Sequence, residues 1–173
     1  MGTTINRTPT PNGLDPRLLT RVMEEGYGPG AWHGPDLRAA LADLSPAVAL
    51  WRPSAGRHNI AEIALHHAYC AHSVRRQLSG IGLEPFVLEG EDWFELSDET
   101  ALTWAEVQAT VETEQRRLVT LVAELESGST SSPRSEAERF DLVFGITCHA
   151  VYHAGQVQLI RRLHDSRSPR PGG

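Results

Sequence analysis

The chain has 173 residues and a mass of 19.0 kDa, with 40% hydrophobic and 22% charged residues. That suits one domain with its own core and excludes a fibrous or disordered chain. The 16 Lys and Arg against 22 Asp and Glu give a formal charge of -6, the wrong sign for a surface that neutralises phosphates, so nucleic acid is not expected as a partner.

Met1 to Asn12 is polar and lacks the basic-then-apolar order of a secretory signal, and no run approaches the ~20 apolar residues of a membrane span. Cys70 and Cys148, too few for a disulfide framework and without CxxC spacing, predict reduced thiols in a cytoplasmic protein that does not engage a membrane. Residues 1–12 and 166–173 read as disordered tails around one domain at 13–165.

In chain order, Asp15-Pro16 predicts a cap and first helical turn for a short helix running through Leu18, Leu19 and Val22 toward Gly26. Gly34-Pro35 predicts a second start, with Leu37, Ala40, Leu41 and Leu44 on one face until Ser45-Pro46 breaks or restarts it. From His58 to Leu78, the residues Ile60, Ile63, Ala64, Cys70, Val74 and Leu78 form one apolar stripe, with Glu62, Arg75 and Arg76 off it. Pro85 to Leu88 is the nearest approach to a strand, and it sits in a breaker-rich connector. Thr103-Trp104-Ala105-Glu106 matches a capping box, followed by the seam Trp104, Val111, Leu118, Leu125. The last helix starts between Ser135 and Phe140 and buries Val143, Ile146, Ala150, Val157, Ile160 and Leu163. The class is all-α, a bundle of four or five helices.

Candidate chemistry lies in the eight histidines. His66 and His67 are adjacent on the first long helix, and His149 and His153 stand four apart on the last, on one face about one turn apart. Two imidazoles from one helix and a third from a facing helix make a three-nitrogen set for zinc, nickel or iron. The spacing alone is weak, since roughly 0.36 such pairs arise by chance, and it does not separate a ligand from a hydrogen-bonded core histidine. His153 lies in line with Ile146 and Ile160, where an unpartnered imidazole is costly. The residues between the two histidines are Ala150, Val151 and Tyr152, so the HExxH of a metallopeptidase is absent and a peptidase is disfavoured.

The segment from His58 to Tyr69, read with Cys148-His149-Ala150-Val151-Tyr152-His153-Ala154-Gly155-Gln156-Val157, resembles the two signature helices of the DinB/YfiT-like superfamily. The first resembles its "LHLAxxE" or "HHLA" pattern and the second its "HxxxHxGQ". The likeness extends upstream to Trp32-His33-Gly34-Pro35 and Trp51-Arg52-Pro53, and in order of elements it covers Asp15 to Leu163.

The resemblance implies a four-helix bundle in up-down-down-up arrangement with a short N-terminal helical extension, frequently a homodimer, holding a divalent metal, usually zinc or nickel, on three histidines. Carried over position by position, the ligands fall on His66, His149 and His153. One conflict remains: the apolar stripe is centred nearly on His67, with His66 about a quarter turn away, so periodicity favours His67 and the motif favours His66. His67 and Cys70 also stand where family members often have apolar or aromatic residues.

The resemblance further implies a metal-dependent enzyme acting on a small molecule, either a transferase using a low-molecular-weight thiol cosubstrate or a hydrolase. The alternatives are a non-catalytic metal-binding or stress-response dimer, and an assembly protein with structural histidines. Among the other residues, Cys70 and Cys148 read as packing residues, and Glu114 as a solvated glutamate rather than a buried acceptor. His33, His58, His72 and His164 read as caps or surface residues, and Trp32, Trp51, Trp93 and Trp104 as core or bundle-end plugs.

Overall fold

Asn59, Thr103 and Ser135 each accept a hydrogen bond from an amide three residues on, and Glu62, Glu106 and Glu138 reach back to the cap amides. Three full capping boxes therefore open the three long helices, each contributing about 1 kcal/mol. Gly80 and Gly128 close two of them at φ 67° and 74°, in the left-handed region where a side chain is strained.

The computed structural model describes residues 17–167, and within them the chain forms six helices and no strand. These are α1 (Leu18–Tyr27), α2 (Leu37–Leu41), α3 (Pro46–Ala49), α4 (Ile60–Ser79), α5 (Trp104–Ser127) and α6 (Glu136–Asp165). The Asp15-Pro16 start, the 1–12 tail and most of the 166–173 tail lie outside the described residues. α2 begins after Asp36, whose carboxylate caps Ala39 N, rather than at Gly34-Pro35.

α4 packs on α5 and α6, and α1 packs on the same two, so α1, α5, α4 and α6 close a ring of four rods. α1 is thus a member of the bundle rather than an appendage, and the short α2 and α3 are the pieces added to it. Gly26 lies inside α1, where a Cβ would come within 2.8 Å of the Thr147 carbonyl oxygen on α6; its missing side chain sets how closely the two helices approach.

The core is divided. One apolar cluster takes Ala61, Leu65 and Ala68 of α4, Val107 and Val111 of α5, and Ala154 and Val157 of α6. The other takes Ala71 and Leu78, Leu118 and Val122, and Val143 and Ile146. Where the two meet on α4, α5 and α6 lie His67 and His72, Glu114 and Gln115, and His149. The bundle therefore carries a polar layer across its middle, and buried polar groups need partners there.

Three expectations are corrected. Glu62 and Arg75 are buried, not turned away from the core: Glu62 pairs with the Arg52 guanidinium and accepts from Leu96 N at 2.9 Å, which pins the α4–α5 connector. Leu163 is 44% exposed, because it lies about 120° around α6 from the buried Val157.

Candidate metal centre

His66 and His67 differ by 100° around α4, and that angle sends them to different places. His67 points into the middle of the bundle, fully enclosed, with its ring stacked near Tyr27 of α1 at 6.2 Å and 8°. His66 points into the groove between α4 and α6. There its Nε2 lies 3.0 Å from His149 Nε2, and His153 Nε2 lies 3.0 Å from the same atom. The three residues singled out from the sequence thus come together, with His149 as the hub.

Each outer nitrogen, Nδ1, is engaged. His66 Nδ1 faces the Asp92 carbonyl oxygen at 2.8 Å and the Asp92 carboxylate at 3.1 Å. Both are acceptors, so in the neutral ring this nitrogen carries the proton and Nε2 is bare. His153 Nδ1 faces Gln156 Oε1 at 2.6 Å while Gln156 Nε2 donates to the Tyr152 hydroxyl, and again Nε2 is bare. His149 Nδ1 lies 3.3 Å from His67 Nδ1.

A neutral His149 Nε2 holds at most one proton, yet it makes close contacts with two bare nitrogens. At least one lone pair therefore meets another without a proton between them, and a cation at the centre removes that repulsion. Protonation does not supply the missing charge: burial, reinforced by the neighbouring imidazoles, holds His149 down at about 3, and burial above all holds His153 at about 4. Neutral imidazoles with fixed outer nitrogens are what a divalent ion requires. The residues fit such an ion.

The conflict between motif and periodicity resolves into two roles. His67 sits at the stripe centre because it faces the bundle interior, and it reaches the cluster through the back of His149. Its Nε2 is buried without a hydrogen bond of good geometry, with Gln115 close enough to favour its protonated form, while burial pushes the imidazole down to about 3.

The α4–α5 connector adds two groups that sequence reading missed. Asp92 adopts φ 66°, a conformation that short polar side chains tolerate, and this directs its carbonyl at His66. Trp93 stacks on His66 at 3.9 Å and on His58 at 3.7 Å, so it covers the centre and is no bundle-end plug. Neither residue belongs to a periodic pattern; only the Trp93-Phe94 pair after an acidic run marks the spot. Trp104 is buried as expected, whereas Trp32 is exposed. Cys70, one turn after His66, brings its sulfur to 3.9 Å from His66 Nε2, and His66, Cys70 and His149 offer ligand atoms within 4.8 Å of one another. Burial, helped by the Asp92 charge, pushes its thiol up to about 11.

A second polar cluster lies on another side of α4. Glu114 is buried and contacts His72 Nδ1 at 3.2 Å, Arg75 at 3.1 Å and Arg117 at 2.8 Å, so neither Glu114 nor His72 is the solvated residue expected. Glu84 of the connector joins the same two arginines at 2.6 Å each, and the Arg75 contact holds its carboxyl at about 2. His72, Glu84 and Glu114 have the spacing of a cation site, but the two guanidinium groups already supply the positive charge.

The DinB superfamily model matches residues 31–157, a span that holds all three converging histidines, His67 and the whole connector. The chain belongs to the DinB superfamily. No curated protein and no solved structure matches it. For this DinB chain, then, the chemistry of the centre itself is the guide to function. No helix among its described residues is long and apolar enough to cross a membrane.

Proposed function

We propose that the protein is a metal-dependent enzyme acting on a small molecule, with a divalent zinc or nickel ion held by His66, His149 and His153. The observation that carries this reading is the meeting of three Nε2 atoms at 3.0 Å contacts, with the outer nitrogens of His66 and His153 held by Asp92 and Gln156. The ion would act as a Lewis acid that lowers the pKa of a bound thiol or water. With three protein ligands, positions stay open for a cosubstrate, which favours a thiol S-transferase or a hydrolase. In this scheme Asp92 and Gln156 fix the ring orientation and the tautomer of two ligands, and Trp93 shields the His66 face from water.

The test compares metal-loaded with metal-free protein over a panel of low-molecular-weight thiols with model electrophiles, and of activated esters and amides. Turnover that needs the metal supports the reading; equal background rates in both forms remove it.

One observation favours a second reading, a non-catalytic metal-binding protein. The Cys70 sulfur lies beside the cluster, and a fourth protein donor would close the site. A cobalt-substituted protein with a sulfur charge-transfer band that is lost in Cys70→Ser supports this alternative, and a band-free spectrum discards it.

A further inference from the structure

Trp93 and Trp104 are held in different ways. Trp104 is 3% exposed, and its indole N–H donates to the Leu44 carbonyl at 2.9 Å. Trp93 is 36% exposed, and among the described residues its indole N–H has no hydrogen-bond partner. Ring contacts alone hold it: His58 at 3.7 Å and 11°, His66 at 3.9 Å and 7°, and His153 edge-on at 6.2 Å and 83°. Two parallel imidazoles that close to one indole would overlap if they shared a face, so His58 and His66 take opposite faces. They are the walls of a slot one aromatic ring thick, and Trp93 fills it.

Both walls are fixed from behind. His58 Nδ1 lies 3.1 Å from the Glu62 carboxylate, which is 1% exposed and is anchored in turn by Arg52, Leu96 N and Asn59 N. His66 rides on α4 with its Nδ1 on the Asp92 carbonyl oxygen. The filling ring comes from a tight turn instead. Gly90 and Asp92 adopt φ 130° and 66°, and Trp93 N donates to the Glu91 carbonyl at 2.8 Å, a three-residue turn outside any helix. Exchanging one flat ring for another keeps the stacking on both faces, whereas an aliphatic group forfeits it.

We propose that the slot between His58 and His66 is the ring pocket of the substrate, which Trp93 occupies until a flat aromatic group displaces it. One wall of the slot is a face of His66, and His153 stands at its edge, so an aromatic group lying there is beside the three converging Nε2 atoms. This names the substrate class for the proposed metal-dependent reaction and rests on that reading. The slot itself is built from side chains alone and is testable without the ion.

The experiment is fluorine NMR on the full chain labelled with 5-fluorotryptophan, with the Trp93 signal assigned by its loss in Trp93→Phe and with indole as the probe. Indole is expected to move the Trp93 signal to the position of a solvated tryptophan and to leave Trp104 unmoved, in metal-free and metal-loaded protein alike; cyclohexanol moves neither. Trp93→Ala, with no ring to displace, should bind indole about tenfold more tightly than the wild type. Adding His58→Ala should cancel that gain while the metal content stays unchanged. A Trp93 signal indifferent to indole at its solubility limit, equal displacement by cyclohexanol, or Trp93→Ala no tighter than the wild type overturns the slot. The two readings fail separately: displacement in a chain that takes up no metal removes the centre and keeps the slot, and metal uptake with an undisplaced Trp93 does the reverse.

Discussion

Two histidine-containing clusters flank α4 on the same polar layer, and they solve the same problem in opposite ways. Around His72, two carboxylates and two arginines balance each other, with Glu114 bound by Arg75 and Arg117. Around His149 there are four imidazoles and no arginine, and the nearest carboxylate, Asp92, sits at the outer edge of His66. The first cluster brings its own cations and works as a clasp between α4, α5 and the connector. The second presents lone pairs that no cationic side chain among the described residues neutralises. Spacing alone selects His72, Glu84 and Glu114 as well as His66, Cys70 and His149; charge balance separates the two clusters.

The sharpest way to break this contrast is at Glu114. Glu114→Ala leaves the buried Arg75, whose Nε is already unpartnered, with Glu84 as its remaining carboxylate, and it should cost about 2 kcal/mol in urea unfolding while the metal content stays at the wild-type level. Loss of metal in that variant would merge the two clusters into one.

Acid should act on the histidine side. In metal-free protein the His67 pKa is about 3 against an ordinary value of 6.5, so between those values the unfolded chain binds the extra proton. Stability is therefore complete above about pH 6.5 and falls as the pH drops toward 3, by up to about 1.4 kcal/mol per pH unit for such a group. His149 and His153, lowered to about 3 and about 4, add to the same slope. Chemical denaturation from pH 7.5 to 4.5 measures it, and a flat profile would contradict the buried neutral cluster.

The smallest expected effect sharpens the division of labour between the adjacent histidines. His67→Leu keeps the apolar volume but removes the partner of His149 Nδ1, so the affinity for zinc, measured by chelator competition, should weaken about tenfold with stoichiometry intact. Complete loss of binding would instead make His67 a ligand.

Local signals were largely legible in the sequence. The Thr103–Glu106 box, the α5 seam and the inward position of His153 follow from short-range rules that the structure repeats. The convergence of His66, His149 and His153 followed from the family likeness and not from periodicity, which pointed to His67. Buried charge was hidden: Glu62, Arg75, His72 and Glu114 each look solvated in a pattern that equates charge with exposure, because their partners lie on other elements. Asp92 and Trp93 were hidden for a different reason, since a connector without periodicity gives no sign of which residues fold back over a helix.

The most direct test is elemental analysis of untagged protein, comparing the wild type with His66→Ala, His149→Ala, His153→Ala and His72→Ala. One divalent ion per chain is expected in the wild type and in His72→Ala, and none in the other three. A metal-free wild type, or full occupancy in His149→Ala, would contradict the centre.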